Sequence, residues 1–437
     1  MSKINSEILI LGGGPIACTI ANKLVERHMS VIMLIPKESI SFKNSKNSFT
    51  KLSKYSNSGK LYGNQIVWGN QHDIDVDEVF LPNQFQTIKN LSFDIQKLQP
   101  FKQEAVKLGW LFDFNEKKYL KLNLFKDFQK NRILKLNNIN PYPKLDQRIH
   151  VIEINPSFLH FQKGSSSSIN QIRTDDMTFD FDHLLIACGG LSNVYYAEKI
   201  SKLLNLDSSL IGAGYVNHPK KKLGIIKFTK YTRIRKKFFL RNSFIFESFS
   251  TKNNDSKNRE LSVAFRLWPS TRQINQSILP RIMLFFGYAK ECELIFYYEM
   301  PQLLSSVIKV IDFLQFEMNI EFANADKSAE LVSYFNNKET KLFDMLRQSK
   351  LVSEVTQLDM IHLEDLRQDS NHHIGGTRMG NSIENGVVDE DCRMFGVQNV
   401  FFYGTSILPS GRSEHPTYLS LLFALKSVEK LIQEKRK

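Results

Sequence analysis

The sequence predicts an α/β protein in which a parallel sheet is joined to a mostly antiparallel second part. Three observations predict it. Residues 7–35 read strand, glycine turn, helix, strand. From Arg148 the pattern changes to short apolar runs separated by turn residues, and residues 417–434 return to helical spacing.

The first unit is the plainest. EILIL is an apolar strand, GGGPI the turn, ACTIANKLVERH an amphipathic helix and SVIMLI a second strand. Together they form the βαβ unit of a Rossmann-like, dinucleotide-binding domain. A Lys, Ser and Asn-rich stretch (37–60) reads as loop, and 61–71 (LYGNQIVWGNQ) as a tight apolar segment holding Trp68. Residues 76–145 mix helical and loop patterns. RIHVIEI, FLHFQ, INQIRT and MTFDFDHLLIACGG then read as strands, with Leu184–Ala187 a buried strand ending at Gly189-Gly190. Further strands are predicted near 223–228, 238–249 and 261–268. Residues 301–318 are predicted as a helix, with Pro301 at its start. The mixture implies an α/β cofactor part and an antiparallel α+β remainder.

A chain of 437 residues, 42% apolar and 24% charged, is long enough for two domains and has a globular composition. Charges interrupt every apolar run within about ten residues, too soon for a membrane-spanning helix. The N-terminus begins a strand at once and lacks the pattern of a signal peptide. Cys18, Cys188, Cys292 and Cys392 are scattered without metal spacing, which fits a reducing, cytoplasmic setting and no metal site. The net charge is +13, and residues 220–241 (KKKLGIIKFTKYTRIRKKFFLR) carry no acid. Alternation of basic and apolar residues suits half-buried strands. The same cluster could attract a phosphorylated or nucleotide-linked substrate, or an anionic membrane face in a peripheral contact. No nucleic-acid-binding pattern accompanies it.

Gly12, Gly14 and Ala17 stand in G-x-G-x-x-A spacing between strand and helix. Gly12 permits the tight turn, Gly14 leaves room for phosphate oxygens, and Ala17 lets helix and strand pack closely. The N–H groups around Pro15, Ile16 and Ala17 point at the anion. The acid that usually ends the second strand and takes the ribose hydroxyls is missing: Ile35 and Pro36 stand there, and Glu38 is the nearest substitute.

Oxidising an alcohol to a carbonyl removes a hydroxyl proton and sends a hydride to an acceptor. A base titrating near neutrality suits the proton step, and a second donor would hold the oxygen. His372, His373 and His415 are the candidates. The stretch HHIGGTRMG (372–380), then GVVDEDCRMFGVQNVFFYGTSILPSG (386–411) and HPT (415–417), resembles the C-terminal region of the glucose–methanol–choline oxidoreductases. GGGPIACTIA, FDHLLIACGGLSN (181–193), GYVNHP (214–219) and, more loosely, YGNQIVWG (62–69) extend the resemblance. Residues 75–145 and most of 220–360 carry no matching motif.

The resemblance implies an FAD-dependent oxidoreductase acting on the CH-OH group of an alcohol, as a dehydrogenase or an oxidase. His373 matches the catalytic base and His415 its partner, while His372 is expected to be structural. Gly189 and Gly190 would pass the adenosine side, and Gly404 with Thr405 the diphosphate and ribityl chain. Trp68 would lie near the ring. Pro416 and Thr417 would open a helix aimed at the flavin. Asp389, Arg393 and Arg378 are expected to support the loop. Val67, not histidine, precedes Trp68, so FAD would be held non-covalently. The implied flavin domain comprises 1–75, 146–217 and 371–437, and the substrate domain 76–145 and 218–370. A polyol or sugar-like substrate, phosphorylated or nucleotide-linked given the basic cluster, is the expectation, with the electron acceptor open. Two other roles fit the same residues: a non-redox activity on a bound flavin, or a non-catalytic binding or assembly component.

Overall fold

The computed structural model describes residues 2–37, 41–42, 71–73, 95–108, 124–135, 144–238, 243–250, 261–270, 272, 277–300, 307–315, 317–321, 325–366, 372–409 and 416–436. In chain order its elements are β1 (Ser2–Leu11), α1 (Pro15–Glu26), β2 (Val31–Pro36), β3 (Ser41–Phe42), β4 (Gln71–Asp73), α2 (Gln99–Lys107), β5 (Gln129–Lys135) and β6 (His150–Ile154). Next come β7 (His160–Ser165), β8 (Ser168–Arg173), β9 (Met177–Ile186), α3 (Gly189–Leu204), β10 (Lys220–Arg233), β11 (Arg235–Phe238), β12 (Ser243–Ser250) and β13 (Val263–Pro269). The remainder are α4 (Ile278–Phe285), β14 (Tyr288–Tyr298), β15 (Val307–Asp312), β16 (Glu317–Glu321), α5 (Ala325–Arg347), β17 (Val352–Gln357), α6 (Leu363–Leu366), β18 (Val400–Phe402) and α7 (Thr417–Lys435).

The first sheet has the order β6-β2-β1-β9-β8-β7, with β18 also on β9. Its centre is parallel: β1 pairs with β2 and β9, β2 with β6, and β18 with the second half of β9. A parallel strand covered on both faces must be apolar at every position, and β2 (VIMLIP) is buried along its whole length. Residues Ile8–Leu11 are likewise fully buried. α1 starts at Pro15, whose missing N–H costs nothing in a first turn, and buries Ile16, Ala17, Ile20, Ala21 and Leu24 against the sheet. Because these strands run parallel, the carboxyl ends of β1, β9 and β18 meet on one edge.

The second sheet is antiparallel, in the order β17-β10-β14-β13-β12-β5-β4, with β11 on β12. α5 packs Phe335, Leu342, Phe343 and Leu346 into its core. The basic segment 220–237 is β10 and β11 of this sheet. Lys221 pairs with Asp359 and Asp365, Lys222 with Glu293 and Lys227 with Glu354, so neighbouring strands and turns neutralise that part of the cluster.

Two expectations change. The described part of the 301–318 span is not helical: β15 and β16 form a hairpin across 307–321, and β3 adds to it. The apolar spacing of VIKVIDFL fits either period, and the β-branched Val307, Ile308, Val310 and Ile311 favour strand. Asp312 then closes the turn by accepting from the backbone N–H groups of Leu314 and Gln315 at 2.7 and 3.1 Å. Secondly, the Gly189-Gly190 pair opens α3. Ile308, Met318 and Ile320, with Leu98 and Ala105, join the first core, whereas β4 belongs to the second sheet.

Glu339, fully buried on α5, accepts a hydrogen bond from the Tyr298 hydroxyl at 2.7 Å and faces the Ile361 N–H. Burial pushes its carboxyl up from 4.5 to about 7. The folded state therefore favours the protonated acid, and this stabilisation is lost as pH rises from 4.5 through about 7. Glu339→Gln should raise stability above that window, on the order of 2–3 kcal/mol, and leave it nearly unchanged below. Urea denaturation at both ends of the window checks this.

Candidate active site

The strand ends build the first half of the site. Gly12, at φ +123°, leaves β1 and lies so close to the Ala187 carbonyl that any side chain would collide with it. Backbone bonds from Gly12 to Leu34 and from Ala187 to Leu11, each 2.8 Å, hold the turn. Gly14 caps α1 with its backbone N-terminal to Pro15, and no side chain caps that end. The Ile16 and Ala17 side chains are buried in the core. At Gly14 the space for a Cβ meets only the Ala187 carbonyl, at 3.8 Å, and at Gly189 it meets nothing within 4 Å. Gly404, at φ +119°, has only Asn193 Nδ2 at 3.7 Å and Gly189 at 3.9 Å. Gly14, Gly189 and Gly404 thus border open space along one edge of the sheet. Ile35 points its side chain at Gly13, so the usual place of the ribose-binding acid is filled by hydrocarbon.

Gly190 has a different task. A Cβ there would run into the His373 carbonyl and Cβ, so this glycine admits the histidine loop and does not face the open edge. His373 is 5% exposed. Its carbonyl accepts from Thr405 Oγ1, and its Nδ1 lies 2.7 Å from the Tyr215 hydroxyl. The next residue, Ile374, exchanges two backbone bonds with Val216, at 2.9 and 3.0 Å. Gly375, Thr377 and Met379 donate to Thr405, Ser406 and Ile407, so the histidine loop and the Gly404 turn form one ladder.

Asn193 ties this ladder to the sheet. It accepts from the Cys188 N–H at 2.9 Å and donates to the Tyr403 carbonyl and Ser406 Oγ, both at 2.8 Å; Thr377 Oγ1 also donates to Ser406. Neither Asn193 nor Tyr215 was singled out from the sequence, although each lies in a quoted motif. Nothing in a lone Asn or Tyr marks a partner in a distant segment.

His372 stacks on His218, with ring centroids 4.1 Å apart and planes at 21°. Burial pushes His218 down to about 3, and the charges of Arg266, Lys220 and His373 add to this. His218 is accordingly neutral, and the His372 ring packs against it. Arg266, 1% exposed, sits 3.8 Å over the Tyr297 ring. Asp389 accepts from the N–H groups of Asp391 and Arg393, and Arg393 pairs with Glu434 on α7, which orders the loop. Arg378 is 6% exposed and meets no carboxylate among the described residues. Pro416 caps α7 and Thr417 is its first residue, one position later than the sequence suggested. Glu38, Trp68 and His415 lie outside the described residues.

A family model described as GMC oxidoreductase matches residues 317–424. Among solved structures, pyridoxine 4-oxidase from Mesorbium loti superposes with a TM-score of 0.59 at 12% identity, covering 98% of this chain and 99% of that one. At that identity the likeness is one of fold. No curated protein matches the sequence.

Two glycines separate the roles of cradle and scaffold. Gly14→Ala, with extended backbone and free space, should change stability by less than about 0.5 kcal/mol yet weaken dinucleotide uptake. Gly190→Ala should cost roughly 1–3 kcal/mol by overpacking against His373. Denaturation midpoints and cofactor titration of both variants check the contrast.

Proposed function

We propose that this chain, a GMC oxidoreductase by its C-terminal region and its fold, uses His373 as the general base in oxidising a polar alcohol with non-covalently bound FAD. The observation that carries this reading is the placement of a buried histidine on the same backbone ladder as Gly404 and beside the open glycine edge. Those residues fit the cofactor. The uncapped N-terminus of α1 and Gly14 would take the pyrophosphate, and Gly189, Gly404 and Thr405 would flank the rest. The start of α7 would face the ring, where its dipole favours negative charge. FAD, when bound, supplies the hydride acceptor.

The remaining chemistry belongs to the chain. With Nδ1 facing Tyr215, the nitrogen that would receive the hydroxyl proton is Nε2. For Nε2 to be basic, Nδ1 must carry the proton and the Tyr215 oxygen must accept it. The bond keeps that direction when Nε2 is protonated, so imidazolium forms without rearrangement and is stabilised where it forms. His415 would steady the substrate oxygen as the family partner. Burial of His373 keeps water from competing for the proton.

A polyol or sugar-like substrate remains the preferred class. The fold neighbour is named for pyridoxine, and this alcohol joins polyols, sugars and sugar phosphates in the substrate panel.

Anaerobic mixing with the panel should bleach the flavin with at least one alcohol. His373→Gln should slow that bleaching by roughly 10²–10⁴-fold. Failure of every alcohol, or turnover with an unchanged flavin spectrum, would sink the redox reading, and an undiminished rate in the variant would remove the base assignment. Tyr215→Phe should lower the rate constant about tenfold or more and move the acidic limb of its pH profile downward, since the imidazolium loses its acceptor. An unshifted limb would mean that Tyr215 acts only in packing.

A further inference from the structure

Helix α4 (Ile278–Phe285, sequence ILPRIMLF) buries none of its residues. Ile278, Leu279, Ile282, Phe285 and the following Phe286 are 49–74% exposed. At spacings of three and four they form one outward stripe, while Pro280, Met283 and Leu284 are half-buried beneath. It is the densest group of large exposed apolar side chains among the described residues. An isolated exposed leucine needs no explanation, but five such side chains on one short helix do.

The helix is fastened to its neighbours. Arg235 Nη2 donates to the Leu284 carbonyl at 3.0 Å, capping the C-terminal turn. Gly287, at φ +90°, accepts from the N–H groups of Ile234 and Arg235 at 2.9 and 3.2 Å, locking the helix end to the corner between β10 and β11. Those contacts bring two acid-free stretches together, Lys220–Phe246 and Leu261–Lys290. Arg281 stands on the helix itself, the exposed Arg233 pairs in register with Tyr288 just past the helix, and the exposed Lys290 and Lys230 follow on β14 and precede on β10. Arg233 lies over the Tyr288 ring, just past the helix. Glu291 is the nearest acid in sequence, on β14 opposite Lys227. The ion pairs of Lys221 and Lys222 lie at the far end of β10 and that of Lys227 at its middle, while the two acid-free stretches bring an excess of basic over acidic residues to the α4 end.

We propose that α4 and its basic surround dock this protein on an anionic lipid bilayer, with the helix lying in the headgroup region. Its outer stripe would enter the acyl boundary while the cations meet lipid phosphates, the pattern of an interfacial helix. Charge argues against a second copy as the occupant. A two-fold contact through this patch would set each basic rim against the other. No helix among the described residues is long and apolar enough to span a membrane, so the contact is peripheral.

Sedimentation of the full chain with vesicles tests this. The protein should pellet with phosphatidylcholine vesicles containing phosphatidylglycerol and stay largely in solution with phosphatidylcholine alone. Added salt should weaken the binding, because screening shortens the reach of the basic rim to about 8 Å at physiological ionic strength. The double variant Ile282→Asp, Phe285→Asp should reduce partition at least tenfold or so, with an unchanged thermal midpoint because both side chains face solvent. Arg233→Glu with Arg281→Glu should abolish the preference for anionic vesicles. Absence of pelleting with either vesicle, equal pelleting with both, or full partition by the Asp variant would overturn the proposal. So would a dimer in light scattering that the Asp variant dissolves without any vesicle binding, since the patch would then join copies of the chain.

Discussion

The site depends on one backbone contact. Where α3 begins, Gly190 lies so close to His373 that no Cβ fits between them. The contact presses the histidine loop onto the end of β9, the strand whose partners β1 and β18 supply Gly12 and Gly404. The glycine turn made by the first residues of the chain and the histidine loop near its end therefore share one edge. Asn193 locks that edge with three hydrogen bonds reaching Cys188, Tyr403 and Ser406. A fully buried amide bonded this way resists displacement, because breaking any one bond leaves a polar atom unsatisfied.

The same placement explains the electrostatic division of labour. His218 is stripped of water and pushed far below neutrality, which makes it a neutral packing partner for His372. His373 meets the Tyr215 hydroxyl at Nδ1, and in the proposed reaction Nε2 takes the proton. Adjacent histidines with similar sequence environments thus differ in what each ring touches, His218 for one and Tyr215 for the other.

Much of the first domain was legible in the sequence. The strand–turn–helix–strand unit follows from apolar runs bounded by glycine and proline, and β6 to β9 were read from their turn residues. The parallel pairing of β6 with β2 was not, since periodicity says nothing about the partner of a strand. The hairpin at 307–321 was read as a helix because its spacing satisfies both periods, and only the β-branched residues and the Asp312 turn decide it. At the candidate site, Gly12, Gly14 and His373 were proposed from motifs whose chemistry can be read locally. Tyr215 and Asn193 act across long sequence separations, so their roles appear only when the chain is folded. Gly190 was seen as a cofactor glycine, whereas its neighbour is the histidine loop.

The central claim is that the glycine edge holds FAD without a covalent bond and without an acid at position 35, where Ile35 covers Gly13 instead. The visible absorbance spectrum of the purified protein, before and after denaturation, tests it most directly. The account predicts a flavin spectrum and release of free FAD on denaturation. A colourless protein that also takes up no added FAD would contradict it, and flavin that stayed with the denatured chain would contradict the non-covalent hold.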